Sequence, residues 1–266
     1  MKDTYQKITV TLFNICLILV AIIAPALIFA SSESFYKDAF RECEIYSVVD
    51  SEGIEQRRVI YYVGGNGGRA VTLSDEQLDE VITHITSYLF GDEESFELTL
   101  DRVFVIGAGL SDEVSLFGER AISHMRDVKL LIGIAKATLA ICSAVLISLF
   151  TLFIVKRKVM AKRLLKYSLV FYGALSAVIL IFVLTALVTS TKEIPFALRL
   201  WKNLHYIIFP FQPDKVASSE LADALTCILT TEFFIFAIER VLIFTFSAIA
   251  LWLTTAFLLG KSSKKR

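Results

Sequence analysis

The sequence is short of the residues from which many soluble catalytic sites are assembled. Its 266 residues include 3 histidines, 4 cysteines, 4 prolines and 12 glycines. It contains no CxxC pair, HExxH motif, P-loop, dinucleotide-binding glycine fingerprint or GxSxG elbow. These gaps argue against a zinc site, a nucleotide-binding fold and a serine-elbow hydrolase, and we expect neither a metal nor a cofactor.

The four cysteines divide between apolar and polar parts of the chain. Cys16 and Cys142 fall inside apolar runs, where we expect them to be small membrane-facing residues. Cys43 and Cys227 fall between such runs and could pair with each other. No spacing pattern marks them as a disulfide, so the pairing stays open.

Acidic residues are missing from two short stretches that follow long apolar runs. Positions 156–167 carry six basic residues and positions 261–266 carry four, with no Asp or Glu in either. Cytoplasmic segments of multi-pass membrane proteins carry such an excess of Lys and Arg, which also contacts anionic lipid headgroups. The pattern predicts a multi-pass protein of the cell membrane with both stretches, and both termini, in the cytoplasm.

Four apolar runs are long enough to cross a bilayer, which takes about 20 helical residues. The predicted fold class is a membrane all-α fold of four transmembrane helices, with a small extracytoplasmic α+β domain between spans 1 and 2. The predicted segments are residues 1–30 (N-terminal tail and first span), 31–129 (extracytoplasmic domain), 130–155 (second span), 156–167 (basic cytoplasmic loop), 168–190 (third span), 191–232 (extracytoplasmic amphipathic loop) and 233–266 (fourth span and basic cytoplasmic tail).

The predicted extracytoplasmic domain is acidic, with 20 Asp and Glu against 9 Lys and Arg in residues 31–129. No basic stripe is available on that side, which excludes a nucleic-acid partner. Ser74 and Gln77 form a capping box that predicts a helix ending at Gly91. Ser111 is predicted to cap a second helix, which runs through His124. Alternation predicts short strands at 44–49, 58–63, 96–100 and 103–106, while 35–40 should continue the first helix, 64–68 should form a flexible tip and 217–229 a short helix.

Two of the three histidines lie where the chain is predicted to meet the membrane. His124 precedes the second span, with Arg120 and Asp127 as helical neighbours. His205 interrupts an apolar segment at 195–209 that is typical of the membrane interface. An imidazole can take up and release a proton near neutral pH, and Asp127 would fix the tautomer of His124. Taken singly, each could be an ordinary surface or interfacial histidine; together they predict one lipid-accessible cleft.

The other polar candidates divide into one exposed residue and one intramembrane pair. His84 lies opposite the apolar stripe of the helix after Ser74, so we expect it to be exposed to solvent. Glu239 and Arg240 lie about two turns into the fourth span, where charged groups usually face the bundle interior. They either belong to a structural ion-pair network or anchor a polar headgroup or a reacting carbonyl oxygen.

Three strings follow one another in a fixed order along the chain: Glu119-Arg120 through His124-Met125 to Asp127-Val128-Lys129, then His205 with Ile208-Phe209, and finally Glu232-Phe233-Phe234. With the four spans, they resemble a bacterial integral membrane family whose characterised branch is the lipoprotein intramolecular transacylase, Lit. The resemblance covers nearly the whole chain. Residues 44–72 resemble an insertion into the compact domain of that family, and Val216 and Thr231 replace a tryptophan and a proline expected from it.

The resemblance implies an acyltransferase that moves the sn-2 acyl chain of a diacylglyceryl-cysteine lipoprotein onto the amino group of the same cysteine. The implied product is a lyso-form lipoprotein, and the implied partners are a diacylated lipoprotein and membrane lipids. His124 and His205 match the two histidines at the functional centre of the family. A non-enzymatic membrane sensor or assembly protein with an extracytoplasmic binding domain stays as the alternative.

The supporting roles follow from chemistry at the two histidines. We expect His124 to act as a general base that is oriented by Asp127 or Glu119, with Arg120 beside it. His205 would serve the developing oxyanion or the leaving oxygen, with Arg240 as a partner and Glu239 next to it.

Overall fold

A computed structural model describes residues 2–49, 52–64, 67–155, 157–189 and 224–262. The contacts within the chain divide it into two compact units. The first, here called the helical unit, comprises the described residues within 1–27, 134–200 and 238–266. The second, here called the sheet unit, comprises those within 28–133 and 201–237.

Helices make up most of the described chain, and six short strands lie between the first and second long helices. The elements in chain order are α1 (Lys2–Ala30), α2 (Glu33–Glu42), β1 (Ser47–Val49), β2 (Glu55–Arg57), β3 (Val59–Gly64), β4 (Gly67–Thr72), α3 (Asp75–Phe90), β5 (Thr99–Val105), β6 (Gly109–Ser115), α4 (Glu119–Val155), α5 (Arg157–Thr189), α6 (Ala224–Ile228) and α7 (Thr231–Ser262).

Four of these helices are long and apolar enough to cross a membrane, with mean hydropathy from 1.9 to 2.8 in their most apolar windows. A bilayer core requires about 20 apolar helical residues. Three of the four segments are longer than this, and the third has 18 residues. The prediction of a multi-pass membrane protein with four spans is therefore confirmed. The helical segments that contain these candidate spans are Thr4–Ala30, Glu119–Val155, Leu164–Ile181 and Thr231–Leu259.

The helical unit is held by a cluster of aromatic and aliphatic side chains from all four long helices. Phe13 of α1 lies 4.3 Å from Trp252 of α7 and 5.2 Å from Phe153 of α4, measured between ring centroids. Leu164 and Tyr172 of α5 are buried in the same cluster. Since lipid tails are as apolar as these side chains, close packing and not exclusion from water must hold the helices together.

A buried polar network lies beside this aromatic cluster. The indole N–H of Trp252 donates to Asn14 Oδ1 at 3.1 Å and to Ser168 Oγ at 3.2 Å. Asn14 Nδ2 donates to Ser168 Oγ at 3.1 Å, and the Ser168 hydroxyl lies 3.2 Å from Asn14 Oδ1. Asn14 and Ser168 are fully buried. Because unpaired polar groups are costly inside a membrane, this network fixes how α1, α5 and α7 lie against one another.

Replacing Asn14 with Leu should destabilise the helical unit by about 1–2 kcal/mol, because Trp252 and Ser168 each lose a partner inside the membrane. Unfolding in mixed micelles, followed by tryptophan fluorescence, measures this loss. Thr254→Val is the matched control, since that exposed hydroxyl bonds only to Ala250 O of its own helix. Equal unfolding free energies for the two variants would contradict a role for the network.

The sheet unit begins with a break in the first helix. Residues 35–40 were expected to continue α1 outward, but this expectation is wrong, because the chain leaves the helix at Ser31 and starts α2 at Glu33. Ser32 caps α2 and accepts a hydrogen bond from the Phe35 backbone. A serine in extended conformation satisfies the free N–H groups of a new helix and so favours a new start at this point.

The strands form two antiparallel sheets, one of two strands and one of four. Strand β1 pairs with β2, and the larger sheet has the order β3-β4-β5-β6. Segments 44–49 and 58–63 were predicted to be strands around one turn. In the structure they belong to different sheets, because 59–64 pairs with the unpredicted strand 67–72. That strand was not predicted because it begins with two glycines, at 67 and 68, and glycine is a poor strand former.

The hairpin of β5 and β6 differs from two predictions: the strands predicted at 96–100 and 103–106, and the helix cap predicted at Ser111. Arg102 adopts a left-handed backbone, with φ 55°, inside β5. Leu100 and Val103 are therefore both buried although they are three residues apart, and the strand looks like two shorter ones in the sequence. Ser111 was expected to cap a helix but lies in β6, and the helix that carries His124 starts at Glu119.

Helix α3 supplies much of the core of the sheet unit. The predicted capping box of Ser74 and Gln77 is confirmed, with both reciprocal hydrogen bonds present. The predicted apolar stripe is buried: Leu78, Val81, Ile82, Ile85 and Leu89.

The prediction for His84 is wrong, because this residue is buried beside Phe96, with ring centroids 5.4 Å apart. Residues 91–98 carry Phe96 across the side of the helix that the sequence suggested was open to solvent. Within the described residues, His84 Nε2 has no hydrogen-bond partner.

An ion pair and an aromatic cluster connect α2 to its neighbours. Lys37 Nζ donates to Asp79 Oδ2 and the Tyr46 hydroxyl donates to Asp79 Oδ1, both at 2.7 Å. Partial burial opposes ionisation of Asp79, but these two bonds and the charges of Lys37 and Arg41 outweigh it and hold the pKa of Asp79 below its ordinary value. On the other side of α2, Phe233 of α7 stacks on Tyr36 at 5.3 Å.

Replacing Asp79 with Asn should lower the stability of the sheet unit near neutral pH. Because the pKa of Asp79 is lowered in the folded state, its stabilising charge is present above about pH 4 and is lost as the pH falls further. Urea unfolding at several pH values should show the gap between the two proteins closing in acid. Asp38→Asn, which breaks only an exposed pair with Arg41, should change little. A gap that does not vary with pH would contradict this assignment.

Candidate active site

The first turns of α4 hold four of the seven predicted site residues, Glu119, Arg120, His124 and Asp127. Ala121 and Met125 are buried and fix one face of the helix in the sheet unit. His124 and Asp127 flank that face and are half-buried, whereas Arg120 is exposed. The imidazole is therefore at a boundary, held by a packed helix yet partly open to its surroundings.

Helix geometry decides which charged residues share the face of His124. Each residue turns the helix by about 100°, so Arg120, four residues earlier, and Asp127, three residues later, lie beside His124. Glu119 is five residues earlier and lies about 140° away around the axis. Asp127 is consequently the better placed of the two carboxylates that were expected to orient the imidazole.

Lys129 attaches this part of α4 to the end of α3. Its ammonium group donates to the backbone carbonyl of Glu93 at 2.7 Å and lies 4.4 Å from the ring centroid of Tyr88. A charge-assisted hydrogen bond and a cation–π contact at one ammonium are both favourable. In the sequence, Lys129 stands out only as part of the string that follows His124, which does not indicate this contact.

Glu239 and Arg240 differ from expectation in their surroundings. Both were expected to face the interior of the bundle, but both side chains are exposed on α7 in the helical unit. An exposed charge on a membrane-spanning helix is costly unless it meets water, a lipid headgroup or another charge. His205, the second predicted catalytic residue, lies outside the described residues.

The cysteines do not form disulfides in the structure, where all four are free. Cys43, at the end of α2, is half-buried. Burial, together with the negative charges of Glu232 and Glu42, raises the pKa of its thiol, against an opposing effect of Arg58. A raised pKa keeps the thiol protonated, so Cys43 is a poor nucleophile and we assign it no role in chemistry.

Together, the four long apolar helices and the sheet unit, whose strands lie between the first and second of these helices in the chain, define a class of multi-pass membrane proteins. A comparison with protein families matches residues 10–234 to the family described as lipoprotein intramolecular transacylase Lit. Since this match covers well over half of the chain, the protein belongs to the Lit family. Comparisons with curated proteins and with solved structures gave no match. The predicted resemblance is thereby confirmed at the level of the family.

Proposed function

We propose that the protein transfers an acyl chain from oxygen to nitrogen within one diacylglyceryl-cysteine lipoprotein. The α-amino nitrogen of the lipidated cysteine attacks the carbonyl carbon of the sn-2 ester. A C–N bond forms, the bond from that carbon to the glyceryl oxygen breaks, and the oxygen leaves as an alcohol. The product is a lyso-form lipoprotein, and the reaction is redox-neutral and needs no second substrate.

The position of His124 along α4 carries this proposal. Six residues separate it from Leu130, where the apolar run begins, and a helix rises by about 1.5 Å per residue, so the two lie about 9 Å apart along the axis. The interfacial layer on each side of a bilayer core is about 5–8 Å thick. His124 thus belongs at the polar edge of that layer, where the cysteine amine and the glyceryl ester of a lipoprotein are found.

Orientation accounts for much of the expected rate. The nucleophile and the ester belong to one molecule, and well-oriented intramolecular reactions gain about 7–11 kcal/mol over the bimolecular case. The protein then has to hold the lipid chains apart from water and bring the amine over the carbonyl.

Proton transfer is the remaining chemical requirement. The cysteine ammonium must lose a proton before it attacks, and the leaving glyceryl oxygen must gain one. We assign the first task to His124, with Asp127 holding the imidazole in the correct tautomer. The attacking nitrogen loses a second proton as the amide forms. One of the two protons passes through His124 to the glyceryl oxygen and the other is released to solvent, which balances the reaction. His205 would stabilise the developing oxyanion or protonate the leaving oxygen, and Arg240 would support it.

The topology that fits this chemistry places the sheet unit outside the cytoplasm and both termini inside. The ten basic residues at 156–166 and 261–266 would then lie in the cytoplasm, in accordance with the charge rule for membrane proteins. The active site would face the outer leaflet, where lipidated cysteines of exported proteins are anchored.

Replacing either His124 or His205 with Ala should reduce formation of the lyso form by about 10²- to 10⁴-fold, because a positioned acid–base group contributes that much. Mass spectrometry of lipoprotein N-termini, from cells that lack other N-acylating enzymes, measures the conversion. Arg126→Ala is the control, because Arg126 is exposed and lies on another side of the same helix. Full conversion by a folded His124→Ala or His205→Ala variant would remove that residue from the mechanism.

A further inference from the structure

A polar cavity of about 580 Å³ opens within the sheet unit, between α2, the two-stranded sheet and the start of α3. Its volume is within the range of about 300–1,000 Å³ that is typical of ligand sites. The proposed mechanism uses none of its lining residues. The charged residues that line it are Arg41, Glu44, Glu55, Arg57, Asp75 and Asp79.

The charges in this cavity do not balance. Four carboxylates face two guanidinium groups. Lys37 neutralises Asp79 from outside the lining, but Asp38 does the same to Arg41, so the excess of two negative charges persists. Within the described chain, the carboxylates of Glu44 and Asp75 have no hydrogen-bond or ion-pair partner. These two groups are therefore available to a cationic ligand.

The walls of the cavity are held in place by bonds that do not involve Glu44 and Asp75 side chains. Asp79 is fixed by Lys37 and Tyr46, as described above, and Glu55 accepts a hydrogen bond from the Ser47 hydroxyl. Arg58 Nη1 lies 3.4 Å from the backbone carbonyls of Cys43 and Glu44 and braces the turn between α2 and β1. A cavity whose walls are already ordered loses little entropy when a ligand enters it.

The two strands that line the cavity favour a peptide as the ligand. Among the described residues, β1 and β2 pair only with each other, so both are edge strands. Edge strands bind extended peptides through main-chain hydrogen bonds, while pockets beside them select side chains. The guanidinium of Arg57 adds a donor for peptide carbonyls, and Glu44 and Asp75 add acceptors for Lys or Arg side chains.

We propose that this cavity binds a basic, extended segment of the polypeptide that follows the lipidated cysteine of the substrate lipoprotein. The inference rests on the proposed function, because that function supplies a lipoprotein as the substrate. It gives the sheet unit a task separate from acyl transfer, namely selection among lipoproteins by the charge of the polypeptide that follows the lipid anchor.

The test compares two diacylglyceryl lipopeptides that differ only in residues 7–9 after the cysteine, Lys-Lys-Lys or Glu-Glu-Glu. The cavity lies at the start of α3, whereas Lys129 attaches α4 to its end, about 20 Å away along the helix axis, and an extended chain needs about six residues to cover that distance. The full-length protein is assayed in nanodiscs of zwitterionic phosphatidylcholine, so that lipid charge does not attract the peptide. The Lys lipopeptide should have a KM about fivefold lower at equal kcat, as two partly exposed ion pairs would provide. Added salt should reduce the difference, because it screens exposed charges.

The double variant Glu44→Gln/Asp75→Asn should abolish this preference without changing kcat. Asp112→Asn/Glu113→Gln is the matched control: it removes the same charge from exposed positions on β6, outside the cavity, and should keep the preference. Equal KM values for the two lipopeptides with the unchanged protein, or the same loss in both double variants, would overturn the cavity proposal while leaving acyl transfer intact.

A binding measurement separates failure of this inference from failure of the proposed function. If neither lipopeptide is converted, fluorescence anisotropy with the two labelled lipid-free peptides decides about the cavity alone. Tighter binding of the Lys peptide that disappears in Glu44→Gln/Asp75→Asn supports the site. Absence of binding, or binding that the double variant does not weaken, overturns it. Unlabelled spermine that competes as well as the Lys peptide would also overturn it, since the site would then take any small cation.

Discussion

The continuity of α4 is the constraint on which the rest of the structure depends. One helix of 37 residues carries His124 at its start and the second span in the remainder. A helix has a fixed rise and a fixed rotation per residue, so the depth of the imidazole and its direction are set together with those of the span. The burial of Ala121 and Met125 and the bonds of Lys129 fix the start of the helix in the sheet unit. In the proposed mechanism, this continuous helix would carry the general base without a separate loop for it.

Polar groups inside the membrane have the complementary task of fixing the spans. Asn14, Ser168 and Trp252 satisfy one another in the helical unit, where no water is available to do so. The exposed Glu239 and Arg240 represent the opposite case, because they remain directed outward at a depth that is costly for a charge. The first is a closed hydrogen-bond network inside the helical unit, and the second is a pair of charged side chains at its surface.

Membrane spans, helix caps and apolar helix faces could be predicted from the sequence, whereas features that depend on tertiary packing could not. The four spans, the capping box of α3 and its apolar stripe follow from hydropathy and local chemistry, and the structure confirms them. The strand positions depend on backbone conformations that the alternation of apolar residues does not indicate, such as the left-handed backbone of Arg102 within β5. The burial of His84 depended on where residues 91–98 pass, which is a property of the fold. At the start of α4, spacing predicted His124 and Asp127 as site residues, whereas the attachment through Lys129 and the polar cavity of the sheet unit were found only in the structure.

The central claim is that His124 and His205 act at one site. Cysteines introduced at positions 124 and 205, in a chain whose four native cysteines are replaced by serine or alanine, test it with a short bis-thiol reagent. Mass spectrometry of the digested protein detects the cross-linked peptides, and a pair at positions 126 and 205 provides the comparison. The account predicts efficient cross-linking of 124 with 205 and much weaker cross-linking of 126 with 205. A folded protein in which 124 and 205 are not joined, or are joined no better than 126 and 205, would contradict it.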